Sequence, residues 1–168
     1  MTTISFRVHR FTSEQEAALE VLNEFWNRRF PVDPVGIATK MGLDVYGRGG
    51  VEDSAYTASG GLHRYEGRQA VCFNSMEPVI RQRFIVAHVL GHLVYGDEQP
   101  PAETGDVYAS TDPAEARATR FARELLMPRA FVRDRLQTEP RATVQSLAEH
   151  FGVSRDAMGH RLLHLGLG

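Results

Sequence analysis

The hydrophobic positions of this 168-residue chain fall into blocks with distinct periods. After Ser13-Glu14-Gln15-Glu16, a capping-box pattern, Ala18, Leu19, Leu22, Phe25 and Trp26 recur at helical spacing. The spacing predicts a helix from about Ser13 to Arg29, closed by Pro31 and Pro34. Asp33 is placed to cap a short second helix that runs to Met41 and stops at Gly42. Leu43 to Tyr46 reads as a short strand, and 47–54 as turn material. Tyr56 to Tyr65 and Gln69 to Phe73 read as two antiparallel strands joined by Glu66-Gly67-Arg68. Asn74 to Pro78 reads as a helix start with proline in the first turn, and the most apolar stretch of the chain follows, from Arg81 to about Tyr95, long enough for a helix. A polar loop then runs from Gly96 to Thr111. Asp112-Pro113-Ala114-Glu115 opens a helix with the stripe Ala118, Phe121, Ala122, Leu125 and Leu126, interrupted at Pro128. A helix carrying Phe131, Val132 and Leu136 comes next and closes at Pro140, and 143–165 divides into two short helices. The expected fold is α+β, with helices around a three-stranded antiparallel sheet. The expected division is a main domain over 1–139 and a helix-turn-helix-like element over 140–168, packed on the same core.

Composition changes this picture little. A hydrophobic fraction of 42% and a charged fraction of 24% are those of an ordinary globular chain. A formal net charge of -2 supplies no global attraction to nucleic acid or anionic membrane. The single cysteine, Cys72, allows no internal disulfide and suits a reducing compartment. The first residues lack the apolar run of a signal peptide, and no stretch approaches a membrane span. The expectation is a cytoplasmic protein.

The chemistry concentrates in His88-Val89-Leu90-Gly91-His92. Residues four apart on a helix lie on one face, so two imidazoles so placed can converge on one metal ion. This is the HExxH geometry with valine in place of the glutamate. A hydrolytic zinc site needs a third protein ligand. Glu115 fits, because it precedes Ala118 and Ala122 by three and seven residues and so shares their inward stripe. Two simpler readings compete. Glu115 is also the N3 residue of a capping box begun by Asp112, and a histidine pair on an apolar helix can be plain core packing. Gly91 weighs for the site, since a glycine inside a buried helix marks the close approach of another backbone, as in a metal-site helix packed on a sheet.

Together these residues resemble the ImmA/IrrE-type zinc metallopeptidases. Arg81-Gln82-Arg83-Phe84 leading into Ala87-His88 and Leu90-Gly91-His92 resembles the active-site helix of that family. Glu115, Ala118, Phe121-Ala122 and Leu125-Leu126-Met127-Pro128 resemble its third-ligand helix. Ser59-Gly60 with Val71-Cys72-Phe73-Asn74 is similar to its small sheet, and 147–162 to its C-terminal helices. The similarity spans about Glu14 to Leu167. It implies zinc held by His88, His92 and Glu115, and a helix-turn-helix repressor as protein partner and substrate. Two departures stand out. Thr119 replaces an asparagine, a minor change on sequence grounds, and Val89 replaces the general base. Valine has no atom that can take a proton from water, and general acid–base catalysis is worth roughly 10²–10⁴-fold. The expectation is a weak peptidase or a pseudopeptidase that binds without cleaving. Asp97, Glu98, Glu103 and Asp106 follow the helix and are the acids available to replace the lost base.

The tail has the layout of a helix-turn-helix, with Arg155, His160 and Arg161 as the candidates for nucleic-acid contact. From Arg129 onward six arginines face four acids, too slight an excess for a basic patch. That balance favours a structural or protein-docking role for the tail over direct DNA binding.

Overall fold

The computed structural model describes residues 11–50, 58–97 and 110–168. In chain order the elements are α1 (Glu14–Phe25), α2 (Pro34–Lys40), β1 (Asp44–Arg48), β2 (Gly60–Tyr65), β3 (Arg68–Asn74), α3 (Val79–Val94), α4 (Pro113–Leu126), α5 (Arg129–Thr138), α6 (Val144–Phe151) and α7 (Arg155–His164). The architecture is α+β. Among the described residues no helix is long and apolar enough to cross a membrane.

The first helix begins as its sequence dictates. Ser13 Oγ accepts from the Glu16 amide at 3.2 Å, and the Glu16 carboxylate reaches back to the amide and hydroxyl of Thr12 at 2.8 and 2.7 Å. Those two bonds hold the Glu16 carboxyl below the usual carboxylate range. The helix ends at Phe25, short of the expected Arg29. Trp26 turns out of the helix into extended backbone, and its indole N–H donates to the Arg29 carbonyl at 2.9 Å. Its ring meets Phe30 and Phe131 edge to face, with centroids 5.0 and 5.3 Å apart. Aromatic packing therefore stops the helix before the prolines do.

The sheet departs from expectation. Its order is β1-β3-β2, so β3 is central. β2 and β3 form the expected antiparallel hairpin, but β1 runs parallel to β3, with Asp44 beside Ala70 and Arg48 beside Asn74. The sheet is mixed rather than antiparallel. The cause is insertion. Strands β1 and β2 run in opposite directions, and β3 lies between them, so it must be parallel to one of the two. The residue pattern of each strand specifies its faces but not its neighbours.

Helix α3 lies between this sheet and α4, and every residue from Phe84 to His92 is buried. Its start has no side-chain cap, but Gln82 Nε2 donates to the carbonyls of Glu77 and Ser75 at 2.7 and 3.2 Å. The sheet approaches α3 closely at Gly60, where a Cβ would collide with Ile85 Cγ2 and lie 2.6 Å from the Cys72 carbonyl oxygen.

The last two helices add Leu147, Phe151, Met158 and Leu162 to the same apolar cluster as α1, α3 and α4. Two arginines fasten them. Arg83 of α3 donates to the carbonyls of Val32 and Gly152 at 2.6 and 3.1 Å. Arg161 of α7 grips Glu124 through two hydrogen bonds of 2.8 and 2.7 Å and also donates to the Met127 carbonyl at the end of α4. Arg161 is therefore not a nucleic-acid contact. It is 3% exposed and committed to the fold, because a guanidinium with a paired carboxylate and a helix-end carbonyl within reach is satisfied inside.

Candidate metal centre

His88 and His92 project from α3 toward α4 and are 0% and 1% exposed, and Glu115, in the first turn of α4, is 7% exposed. Asp112 caps α4 by accepting from the amides of Ala114 and Glu115 at 2.8 and 3.2 Å. The Glu115 side chain does not return to the Asp112 amide, which donates to Ser110 Oγ instead. With the capping role filled, the Glu115 carboxylate turns inward. Its Oε2 lies 3.1 Å from His88 Nε2, its Oε1 lies 3.1 Å from His92 Nε2, and the two Nε2 atoms are 3.1 Å apart.

The hydrogen-bond inventory shows what this arrangement lacks. His92 Nδ1 faces Asp97 Oδ2 at 2.9 Å, an acceptor only, so Nδ1 carries the proton and donates. In the neutral ring Nε2 is then a lone pair. His88 Nδ1 lies 3.2 Å from Thr119 Oγ1, a hydroxyl that can accept its proton, and in that tautomer His88 Nε2 is a lone pair directed the same way. Two imidazole nitrogens and a carboxylate thus face one another in a buried site with at most one hydrogen among them when both rings are neutral, and Glu115 Oε1 makes no hydrogen bond there. Such a set repels itself unless a proton or a cation lies among the atoms. Ligands about 2.0–2.1 Å from a tetrahedral ion are about 3.3 Å from each other. The observed separations are close to that, so the residues fit a metal ion. His88, His92 and Glu115 are a buried group that can hold one.

The support around the group comes from both helices. Asp97, just past α3, is bound by Arg117 of α4 at 3.1 and 3.2 Å. The Arg117 guanidinium lies over the Tyr95 ring, 4.4 Å from its centroid. Burial foremost, aided by Glu14 and opposed by Arg117 and Arg120, pushes the Tyr95 phenol up to about 12. It therefore stays neutral. Gly91 does mark a close approach, but to α4 and not to the sheet. A Cβ there would lie 3.0 Å from Ala118 Cα and 3.1 Å from its carbonyl oxygen. The missing side chain brings the two ligand-bearing helices together.

Val89 is 0% exposed and belongs to the apolar core, so the general-base position offers no proton acceptor. Of the acids considered as substitutes, Asp97 is engaged behind His92, on the ring edge away from the ligand set. Glu98, Glu103 and Asp106 lie outside the described residues. Arg155 and His160 are exposed on α7, remote in role from the buried set. Sequence reasoning undervalued Thr119, whose hydroxyl turns out to orient a candidate ligand. Its position four residues after Glu115, on the same helix face, was the available signal. It also took Asp97 for a spare base and missed Arg117.

The family of IrrE N-terminal-like domains matches residues 51–163, well over half of the chain and a narrower span than the resemblance noted above. A search of curated proteins finds no match. With the match extending across α3, α4 and the C-terminal helices, the chain belongs to the IrrE N-terminal-like family, of the ImmA/IrrE type, and has a metallopeptidase-like fold.

Proposed function

We propose that this chain is a zinc protein of the metallopeptidase type, with His88, His92 and Glu115 as ligands, whose peptidase activity is weak or lost and whose partner is a helix-turn-helix repressor. Two nitrogen donors and one carboxylate oxygen form a donor set that suits zinc. When bound, the ion supplies Lewis acidity and a water of lowered pKa. The chain's own residues account for the rest. Asp97 and Thr119 hold the two rings with Nε2 directed at the ion. Glu115, spent as a ligand, is not free to move a proton, and the Val89 isopropyl group cannot. The observation that carries the reading is this pairing of an inward-facing ligand set with a fully buried valine at the adjacent position.

The repressor partner and a cytoplasmic setting rest on the family resemblance and on the lone, buried Cys72. The test compares the native chain with Val89→Glu, both loaded with zinc, on a cognate repressor. The expected result is binding by both and cleavage that rises by roughly 10²-fold or more in the variant. Robust zinc-dependent cleavage by the native chain, equal to that of the variant, would overturn the reading.

Val89 also favours a second reading, a binding module that holds its partner without cutting it. It predicts a stable native complex and no product at any zinc concentration. Direct DNA regulation is the weaker alternative, since the loss of Arg161 leaves only Arg155 and His160 of its three contacts. A salt-sensitive gel shift by the purified chain would revive it.

A further inference from the structure

A cleft of about 440 Å³ opens between α1, α4 and α7. That volume is in the range of small-ligand sites, roughly 300–1,000 Å³. Its described lining is strongly cationic for a chain of net charge -2. Arg120, Arg123, Arg129 and Arg161 line it with His160 and His164, against only Glu14 and Glu124. Both glutamates are taken. Glu14 pairs with Arg120 at 2.8 Å, and Glu124 pairs with Arg161 at 2.7 Å. Arg129 is different. Its Nε is buried with no acceptor, and among the described residues it has no carboxylate partner.

A buried guanidinium N–H without an acceptor carries its desolvation cost unrelieved. Arginine's planar fork matches two oxygens of one anionic group, whether phosphoryl or carboxylate. We propose that this cleft binds a small multivalent oxyanion, seated on Arg129 and flanked by His160, His164 and the hydroxyl-bearing Ser13 and Ser110 at its rim. The site is independent of the metal centre in its chemistry but close to it in the fold, because Thr119 lines the cleft and also contacts His88. Arg129, only partly exposed within the cleft, suits a small molecule better than a duplex, whose phosphates would meet the exposed Arg120, Arg155, His160 and His164 instead.

The experiment is calorimetric titration of the full chain with inorganic pyrophosphate and, separately, with citrate. Native protein, Arg129→Gln and Arg155→Gln are compared at the same zinc content, so that any anion binding at the His–His–Glu group is common to all three. The expected result is one site per chain, weakened about tenfold or more by Arg129→Gln and unchanged by Arg155→Gln. The tighter of the two anions names the class, phosphoryl or carboxylate. Arg129→Lys keeps a charge and the stem but not the fork. It serves if the glutamine variant does not fold, and it is expected to bind more weakly than native. Equal binding by native and the Arg129 variants would overturn the proposal. So would no binding of either anion at millimolar concentration, or a short DNA duplex whose binding depends on Arg155 and not on Arg129.

Discussion

Helix α4 carries a buried ionic cluster at each end, and the two are built on opposite principles. At its C-terminal end Arg161 supplies donors to acceptors, a carboxylate from Glu124 and the Met127 carbonyl, and the charges balance. At its N-terminal end two imidazole nitrogens and the Glu115 carboxylate meet at 3.1 Å with too few hydrogens to bridge every pair. Buried polar groups are normally satisfied by their neighbours. The first cluster obeys that rule by itself and so reads as architecture. The second obeys it only with a proton or a cation added, and so reads as a site. Burial and charge, which the two share, do not separate function from scaffold. The balance of donors and acceptors does.

The comparison can be broken most forcefully at Arg161. Arg161→Ala leaves Glu124 and the Met127 carbonyl without their partner and is expected to cost about 3–5 kcal/mol in chemical denaturation, with or without zinc. A loss that depended on zinc would mean that the two ends of α4 are one system. Glu115→Gln tests the other end. Zinc per chain, measured on dialysed protein, should fall from about one to near zero. Native protein should gain about 4 kcal/mol at zinc a thousandfold above its Kd, and the variant should gain none. In chelator the variant should be at least as stable as native, because a buried carboxylate with an unsatisfied oxygen has gone. A large loss in chelator would make Glu115 architecture too.

Smaller changes sharpen the picture. Asp97→Asn or Thr119→Val removes one support from a ligand ring and should weaken zinc binding by about 10–100-fold in a chelator competition, with the metal-free fold unchanged. The smallest effect concerns His150, which sits among Phe30 and Phe151. Burial first, and Arg135 second, hold its pKa below the ordinary 6.5. The unfolded chain therefore takes up the proton first as pH drops. This contribution to stability is complete above about pH 6.5 and declines as pH falls through that value. His150→Gln should flatten the corresponding slope in Tm between pH 7.5 and 5.5.

The parts of the molecule legible in the sequence were those set by local rules. Ser13 and Asp112 announced helix starts that the structure has, and the stripe from Glu115 through Ala118 to Ala122 marked an inward carboxylate. The parts that were not legible depend on partners distant in the chain. Nothing near residue 161 says that Glu124 waits across the core, so an arginine on α7 looked like a surface contact. Nothing in Leu43 to Tyr46 says that β3 will lie between β1 and β2, so the sheet's parallel pair was missed. The role of Thr119 depended on the orientation of an imidazole 31 residues earlier.

Two glycines have a consequence for how this protein tolerates change. Gly60 admits α3 to the sheet, and Gly91 admits it to α4, so the helix is gripped on both sides at places where a single hydrogen stands in for a side chain. A methyl group at position 91 would push α4 away from α3 and widen the gap that His88, His92 and Glu115 span, and one at position 60 would shift α3, with both histidines, off its seat on the sheet. In a survey of every substitution scored by zinc retention, positions 60 and 91 would therefore rank beside the ligands themselves, though neither offers an atom to the metal. Drift in this family's sequences would be policed there by distance, not by chemistry.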